Sequence, residues 1–308
     1  MAALPPLPVT VVGGYLGAGK TTLVNHLLRH AGGRRIAVLV NDFGQLPIDA
    51  DLILGSDGDV VAIAGGCVCC AYGSDLMAAL ETMAARRPRP DHVVVEASGV
   101  ALPDGIALSV ELLASYRRGG VVVLADAETV RRHAADRYVG DTIDRQLAAA
   151  DLVIVNKTDL VDAAALDATL EWLAAAAPRA AVTTARGADV PLEAVLGLDE
   201  TDRPLRLRRP AHAPAAWDAT TVAVGHPVDA ERLARMLASP EMGLVRAKGV
   251  VRDHGGGSRV IQVVGRRWAV TPATAEGTAG RLVAITAGHP VPAAAIAAAI
   301  AEAAVAQA

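Results

Sequence analysis

Up to about residue 200 the chain alternates two hydrophobic rhythms. Short valine-rich runs, "VTVVGG" (9–14), "RIAVLVND" (35–42), "HVVVEASG" (92–99), "GVVVLAD" (120–126) and "DLVIVNK" (151–157), each end in glycine or a polar residue. They predict strands buried on both faces of a parallel sheet. Between them, stretches such as "TTLVNHLLRH" and "SDLMAALETMAARR" repeat apolar residues at helical spacing. Strand and helix in alternation give the βαβ logic of a doubly wound sheet, in which chemistry gathers at the carboxyl ends of the strands. From about 201 to 216 prolines and arginines replace any periodicity, which predicts a linker. Beyond it, "EMGLVRAKGVV", the turn "RDHGGGS" and "RVIQVVGRRWAV" read as a β-hairpin. The expected fold is therefore α/β over residues 1–200, with a smaller α+β domain over 217–308. In the tail from Val291 to Ala308, Ile296 and Ile300 lie at helical spacing, as on a helix docked against a core.

Composition narrows the class. With 308 residues and 52% hydrophobic content there is enough apolar side chain to fill a sizeable core. No segment has the length and bulk of a membrane span, and the N-terminus lacks the basic start and apolar run of a signal peptide. A cytoplasmic location, where thiols stay reduced, is the expectation. The net charge of -4 gives no electrostatic reason to expect nucleic acid or a membrane as a partner. The basic run "RPLRLRRP" (203–210), set among prolines, reads as a solvated linker.

"GYLGAGKTT", Gly14 to Thr22, fits G-x-x-x-x-G-K-[ST] and stands after a strand and at the mouth of a helix. Gly14, Gly17, Ala18 and Gly19 would turn amide N–H groups toward phosphate oxygens. Lys20 would reach the β- and γ-phosphates, Thr21 would ligate Mg²⁺, and Thr22 would touch the α-phosphate. Downstream, "NKTD" follows the strand "DLVIV". Asp159 can accept from guanine N1–H and the 2-amino group while Asn156 props the loop and the Lys157 stem covers the base. Adenine lacks that amino donor, so GTP is expected over ATP.

Two other strand ends bear on the phosphates. Glu96 sits where an acidic residue would hold Mg²⁺ through water, and Gly99 can offer its N–H to the γ-phosphate. Asp42, in "NDFGQ", would either bind a metal-coordinated water or orient the attacking one, or else mark an Asn-Asp turn with no catalytic duty. No arginine finger can be assigned from spacing.

"GGYLGAGKTTLVNHLL", "NDFGQLPID", "GGCVCC", "VVVEASGVALP", "VNKTDL" and "LVRAKGVV" occur in the order seen in the CobW-type GTP-binding metallochaperones, which the chain resembles through nearly its whole length. The resemblance implies a P-loop GTPase domain, a smaller C-terminal domain, Mg²⁺-dependent GTP hydrolysis, and a transition metal, zinc or cobalt, held by Cys67, Cys69 and Cys70. It also implies a client metalloprotein and a nucleotide- or metal-dependent homodimer. Two departures stand out: Gln45 replaces a glutamate common after "NDFG", and the histidine-rich tract of many members is missing, the eight histidines being scattered.

These three cysteines are all the chain has. On an extended strand Cys67 and Cys69 would face one way and Cys70 the other, so convergence needs a turn, for which Gly65 and Gly66 supply freedom. Thiolates suit Zn²⁺ or Cu(I), with Co²⁺ possible, whereas Mg²⁺ belongs at the Thr21 oxygen. Three local ligands leave a shell to be completed from elsewhere, which suits release. A redox switch, a closed structural zinc site and an inert buried trio are the competing readings. At the level of function, a GTPase that delivers metal under nucleotide control competes with a regulatory GTP-binding module that does not.

Overall fold

Burial on both faces makes the valine-rich runs into one parallel sheet. β1 (Leu7–Gly14), β2 (Ile36–Asn41), β3 (Val60–Ile63), β4 (His92–Glu96), β5 (Tyr116–Asp126), β6 (Leu152–Asn156) and β7 (Ala181–Thr184) lie in the order β3-β2-β4-β1-β5-β6-β7. Every residue of β4 and β6 is buried. One face packs on helices through Leu80, Ile106, Leu147 and Leu173, and the other through Leu23, Leu27 and Val195. This computed structural model describes residues 5–41, 60–63, 74–197, 217–273 and 280–304. Asp42, Gln45, Cys67, Cys69, Cys70 and the 201–216 segment lie outside the described residues.

The sheet departs from the sequence reading at its rims. β3 and β7, four residues each, stand at the two edges. They are too short to show a period. β5 begins at Tyr116, four residues before the valine run, and its register against β1 slips so that Val9 faces Arg118 and Thr10 faces Gly120. Gly119 is the extra residue of that bulge, and a Cβ there would come within 2.9 Å of the Val9 carbonyl oxygen.

The second sheet is antiparallel, in the order β11-β10-β9-β12-β8: β8 (Trp217–Ala223), β9 (Leu244–Arg252), β10 (Ser258–Val264), β11 (Arg267–Pro272) and β12 (Arg281–Ala287). β9 and β10 make the expected hairpin, but "RVIQVVGRRWAV" is two strands, because Gly265 turns the chain at φ 56°. Helices Ala230–Leu237 and Ala293–Glu302 cover one face, and the latter buries Ile296 and Ile300 as its spacing requires.

On β9 two cationic residues, Arg246 and Lys248, are buried. The strand docks on the first domain, where Val245 joins the core around Leu23 and Val195. Arg246 Nη1 donates to the carbonyls of Val195 (3.0 Å), Ala194 (3.3 Å) and Glu193 (3.4 Å), the exit of helix Leu192–Leu196, and Nη2 donates to the bulge carbonyl of Gly119. A cation there complements the helix C-terminus. Burial, and then the neighbouring Arg267, lowers its pKa to about 9, so it is still charged at neutral pH.

His92 sits beside this contact. The Thr10 hydroxyl donates to the Val195 carbonyl at 3.3 Å, so at 2.9 Å His92 must donate to it from Nε2. Burial first, then the positive charge of Arg246, holds the imidazole neutral, well below its ordinary pKa. Because the folded value is depressed, the unfolded chain binds the extra proton: stability is full above about pH 6.5 and falls as pH drops below it, by up to about 1.4 kcal/mol per unit from this group. Urea unfolding at pH 7.5 and 5.5 checks this. His92→Gln, which keeps a donor but not the titration, should flatten the profile; parallel profiles for variant and wild type would contradict it.

Candidate functional site

The site forms where the sheet reverses its winding, at the carboxyl end of β1 between β4 and β5. The turn from β1 into helix Lys20–Arg29 needs its glycines. Gly14, Gly17 and Gly19 have φ of 130°, 77° and 104°, and a Cβ on Gly14 would lie 2.4 Å from the Leu124 carbonyl oxygen. Gly19 is the left-handed residue that opens the helix, with no side-chain cap on the first N–H groups. Those donors are available to an anion. Ala18 is buried, Gly17 and Thr22 are exposed, and Lys20 is buried with Nζ 3.4 Å from the Tyr15 carbonyl oxygen.

Because β1 pairs directly with β4, Val12 stands opposite Glu96 and brings the strand-end carboxylate to the helix start. Thr21 Oγ1 donates to Glu96 Oε1 at 2.8 Å. The hydroxyl's lone pairs are then left for a hard cation, and the two oxygens are the donor chemistry Mg²⁺ takes, so these residues fit that ion. Gly99 lies against the same turn: a Cβ on it would meet Leu16 N at 2.8 Å. Its carbonyl and that of Ala101 accept from Gln146 Nε2 at 3.1 and 2.8 Å, which ties the loop after β4 to helix Gly140–Ala149.

The N-K-x-D loop joins the other flank. Asn156 Nδ2 donates to the Ala18 carbonyl at 3.0 Å, and its Oδ1 accepts from Ala188 N at 2.8 Å. A Cβ on Gly19 would fall 2.4 Å from that Nδ2, so the glycine is demanded by Asn156 as well as by its own dihedral. Lys157 takes a left-handed conformation, φ 62°, and its ammonium pairs with Asp126 Oδ2 at 2.8 Å, which fixes the direction of its stem. Asp159 is exposed in the short helix Thr158–Leu160.

Two partners escape the sequence reading. Asp126 ends β5 in register with Asn156, which is legible only once β5 and β6 are known to be neighbours. The loop after β7 supplies Ala188 N to Asn156 and the Ala185 carbonyl to the Thr158 hydroxyl, and its signal was the turn "ARGAD", where Gly187 and Ala188 have φ of 57° and 55°. Asp42 and the three cysteines lie outside the described residues. Among the described residues no group of three or more histidine, cysteine or acidic side chains is arranged to hold a metal, and no helix is long and apolar enough to cross a membrane.

Phosphate turn, hard-cation pair and guanine-type loop converge at one sheet end, the arrangement of a P-loop GTPase site. Residues 8–184 match the family described as CobW/HypB/UreG, nucleotide-binding domain, and residues 217–304 match the cobalamin synthesis protein cobW C-terminal domain. A protein named zinc chaperone CobW from a Sinorhizobium species is 30% identical over 288 residues, covering 80% of this chain and 78% of its own. Its namesake from Pseudomonas aeruginosa is 35% identical over 232 residues, 65% of this chain and 62% of its own. Zinc chaperone YjiA from Escherichia coli is 34% identical over 196 residues, 61% of this chain and 60% of its own. The chain belongs to the CobW/HypB/UreG family of nucleotide-binding proteins, with a cobW-type C-terminal domain.

Proposed function

We propose that the protein is a GTP-hydrolysing metallochaperone that takes a transition metal, zinc or cobalt, through Cys67, Cys69 and Cys70 and hands it to a client protein under nucleotide control. In this reading the turn Gly14–Gly19 and the helix start bind the phosphates, Lys20 neutralises charge between β- and γ-phosphate, and Asp159 selects guanine. Thr21 and Glu96 hold Mg²⁺, which supplies charge neutralisation on the phosphates when bound. The names of the relatives support zinc as cargo.

One observation carries the link between the two chemistries. β2 pairs in parallel with β4 on one side and with β3 on the other, with Val40 opposite Glu96 and Asn41 opposite Ile63. The chain therefore leaves the sheet at Ile63, four residues before Cys67, at the same end as the Thr21–Glu96 pair. A metal-binding turn attached there is tethered to strand ends that a γ-phosphate would draw on.

Co²⁺ titration of reduced protein tests the thiol assignment. Sulfur ligation gives an intense near-ultraviolet charge-transfer band, and Cys67→Ser, Cys69→Ser or Cys70→Ser each lowers metal affinity at least about tenfold, since a hydroxyl is a far poorer ligand than a thiolate. A spectrum without that band would remove the cysteines from the metal site.

A further inference from the structure

At the opposite end of the sheet from the P-loop, a cleft of roughly 480 Å³ opens between the two domains. Arg118, Arg145 and Arg179 come from the first domain, while Arg266 and Arg267 come from the β10–β11 turn of the second. That turn is pressed home at Gly265, where a Cβ would lie 2.5 Å from the Asp151 carbonyl oxygen, and Arg266 N donates to the Arg179 carbonyl at 3.3 Å. Two aspartates, Asp104 and Asp151, are the acidic groups of the lining. Five cations line the cleft against two aspartates, and at its rim Glu111 lies 3.5 Å from Arg118 and Asp141 3.8 Å from Arg145, which still leaves positive charge in excess in a chain whose net charge is -4.

The aspartates do not answer that excess. Asp151, nearly buried, accepts from Val121 N at 2.8 Å, Arg267 Nε at 2.9 Å and Arg118 Nη2 at 3.3 Å, so it orients two of the arginines. Asp104 accepts from its own neighbour, Gly105 N. Of the other three arginines, only Arg145 has a carboxylate within ion-pair distance, and that one is exposed. Arg179 Nη2 donates to the Ala148 carbonyl at 3.3 Å, Arg145 stands 3.8 Å from an Asp141 that is 84% exposed, and Arg266 makes no side-chain hydrogen bond or ion pair among the described residues. An exposed pair at that distance contributes almost nothing. Arginine in place of lysine carries no weight here, because Lys20, Lys157 and Lys248 are the only lysines in the chain. Clustering of charge on both walls of one cleft does carry weight.

We propose that this cleft binds a small molecule bearing two or more phosphate groups, which bridges the domains. Its size falls in the range of small-ligand sites, about 300–1,000 Å³. Guanidinium forks donate paired N–H groups to phosphate oxygens, and a ligand with anionic groups at both ends can engage Arg145 and Arg179 on one wall and Arg266 on the other. A single anion would leave one wall unanswered. The inference is independent of the nucleotide and metal assignments, since no residue of the P-loop or N-K-x-D loop takes part.

The test is calorimetric titration of inorganic tripolyphosphate into the full chain, kept saturated with excess GDP so that the P-loop is filled. We expect saturable one-to-one binding that weakens as salt is raised, and at least a tenfold loss in an Arg145→Ala/Arg266→Ala double variant whose GTP hydrolysis stays within twofold of wild type. Citrate should bind more weakly than tripolyphosphate, because it carries less negative charge to set against the arginines of the two walls. Equal binding by the double variant, no binding by the wild type, or tighter binding of a decaglutamate peptide than of tripolyphosphate would each overturn the proposal, the last by pointing to an acidic protein segment.

Discussion

Lys20→Ala lowers GTP turnover at saturating substrate by at least ~10²–10³-fold, the range found when a single preorganised hydrogen-bond donor is removed from an active site. The physical reason lies in where the ammonium sits. Lys20 opens the helix at the end of β1, is buried, and has Nζ 3.4 Å from the Tyr15 carbonyl oxygen, so the turn that would wrap the phosphates also holds the cation. Alanine leaves the backbone N–H groups in place but removes the charge that balances negative charge developing between the β- and γ-phosphates. Phosphate release measured beside binding of a fluorescent GDP analogue separates the effects: turnover collapses while diphosphate binding falls less. Turnover within threefold of wild type would contradict the assignment.

Arg246→Ala destabilises the protein by about 3 kcal/mol, the order expected when a buried, hydrogen-bonded cation is removed. Four backbone carbonyls, of Gly119, Glu193, Ala194 and Val195, lose a donor at once, and the gap lies in an interface that water enters poorly. At this chain length the loss corresponds to a Tm lower by roughly 5 °C. Arg246→Lys keeps the charge without the fork and should fall between, since one ammonium cannot serve both the helix exit and the β-bulge. A shift below 1 °C for the alanine variant would show that the second domain is held by other contacts.

Much of the nucleotide site was legible because its chemistry is local. The glycines of the first turn, Lys20, Thr21 and the N-K-x-D loop occupy contiguous residues whose spacing is the geometry. Glu96 was legible as a strand end, but its hydrogen bond to Thr21 depends on β1 and β4 being neighbours, a fact of topology. Asp126 and Ala188 were invisible for the same reason. Nothing in the sequence of the hairpin singles out Arg246, and only the docking of β9 on the first domain reveals a buried cation there. The arginine cleft follows suit, since its walls come from segments more than eighty residues apart.

In the proposed function nucleotide state and metal affinity are one linked equilibrium. Strands β2, β3 and β4 end together, so segments drawn toward a γ-phosphate at the Glu96 end share an attachment with the chain that leads to Cys67. Linkage then requires that each ligand change the affinity of the other by the same factor. The most direct measurement titrates a fluorescent zinc competitor against the full chain, first with a non-hydrolysable GTP analogue and Mg²⁺, then with GDP and Mg²⁺. Zinc affinities in the two states should differ at least tenfold, a coupling of about 1.4 kcal/mol; superimposable curves would contradict the proposed coupling.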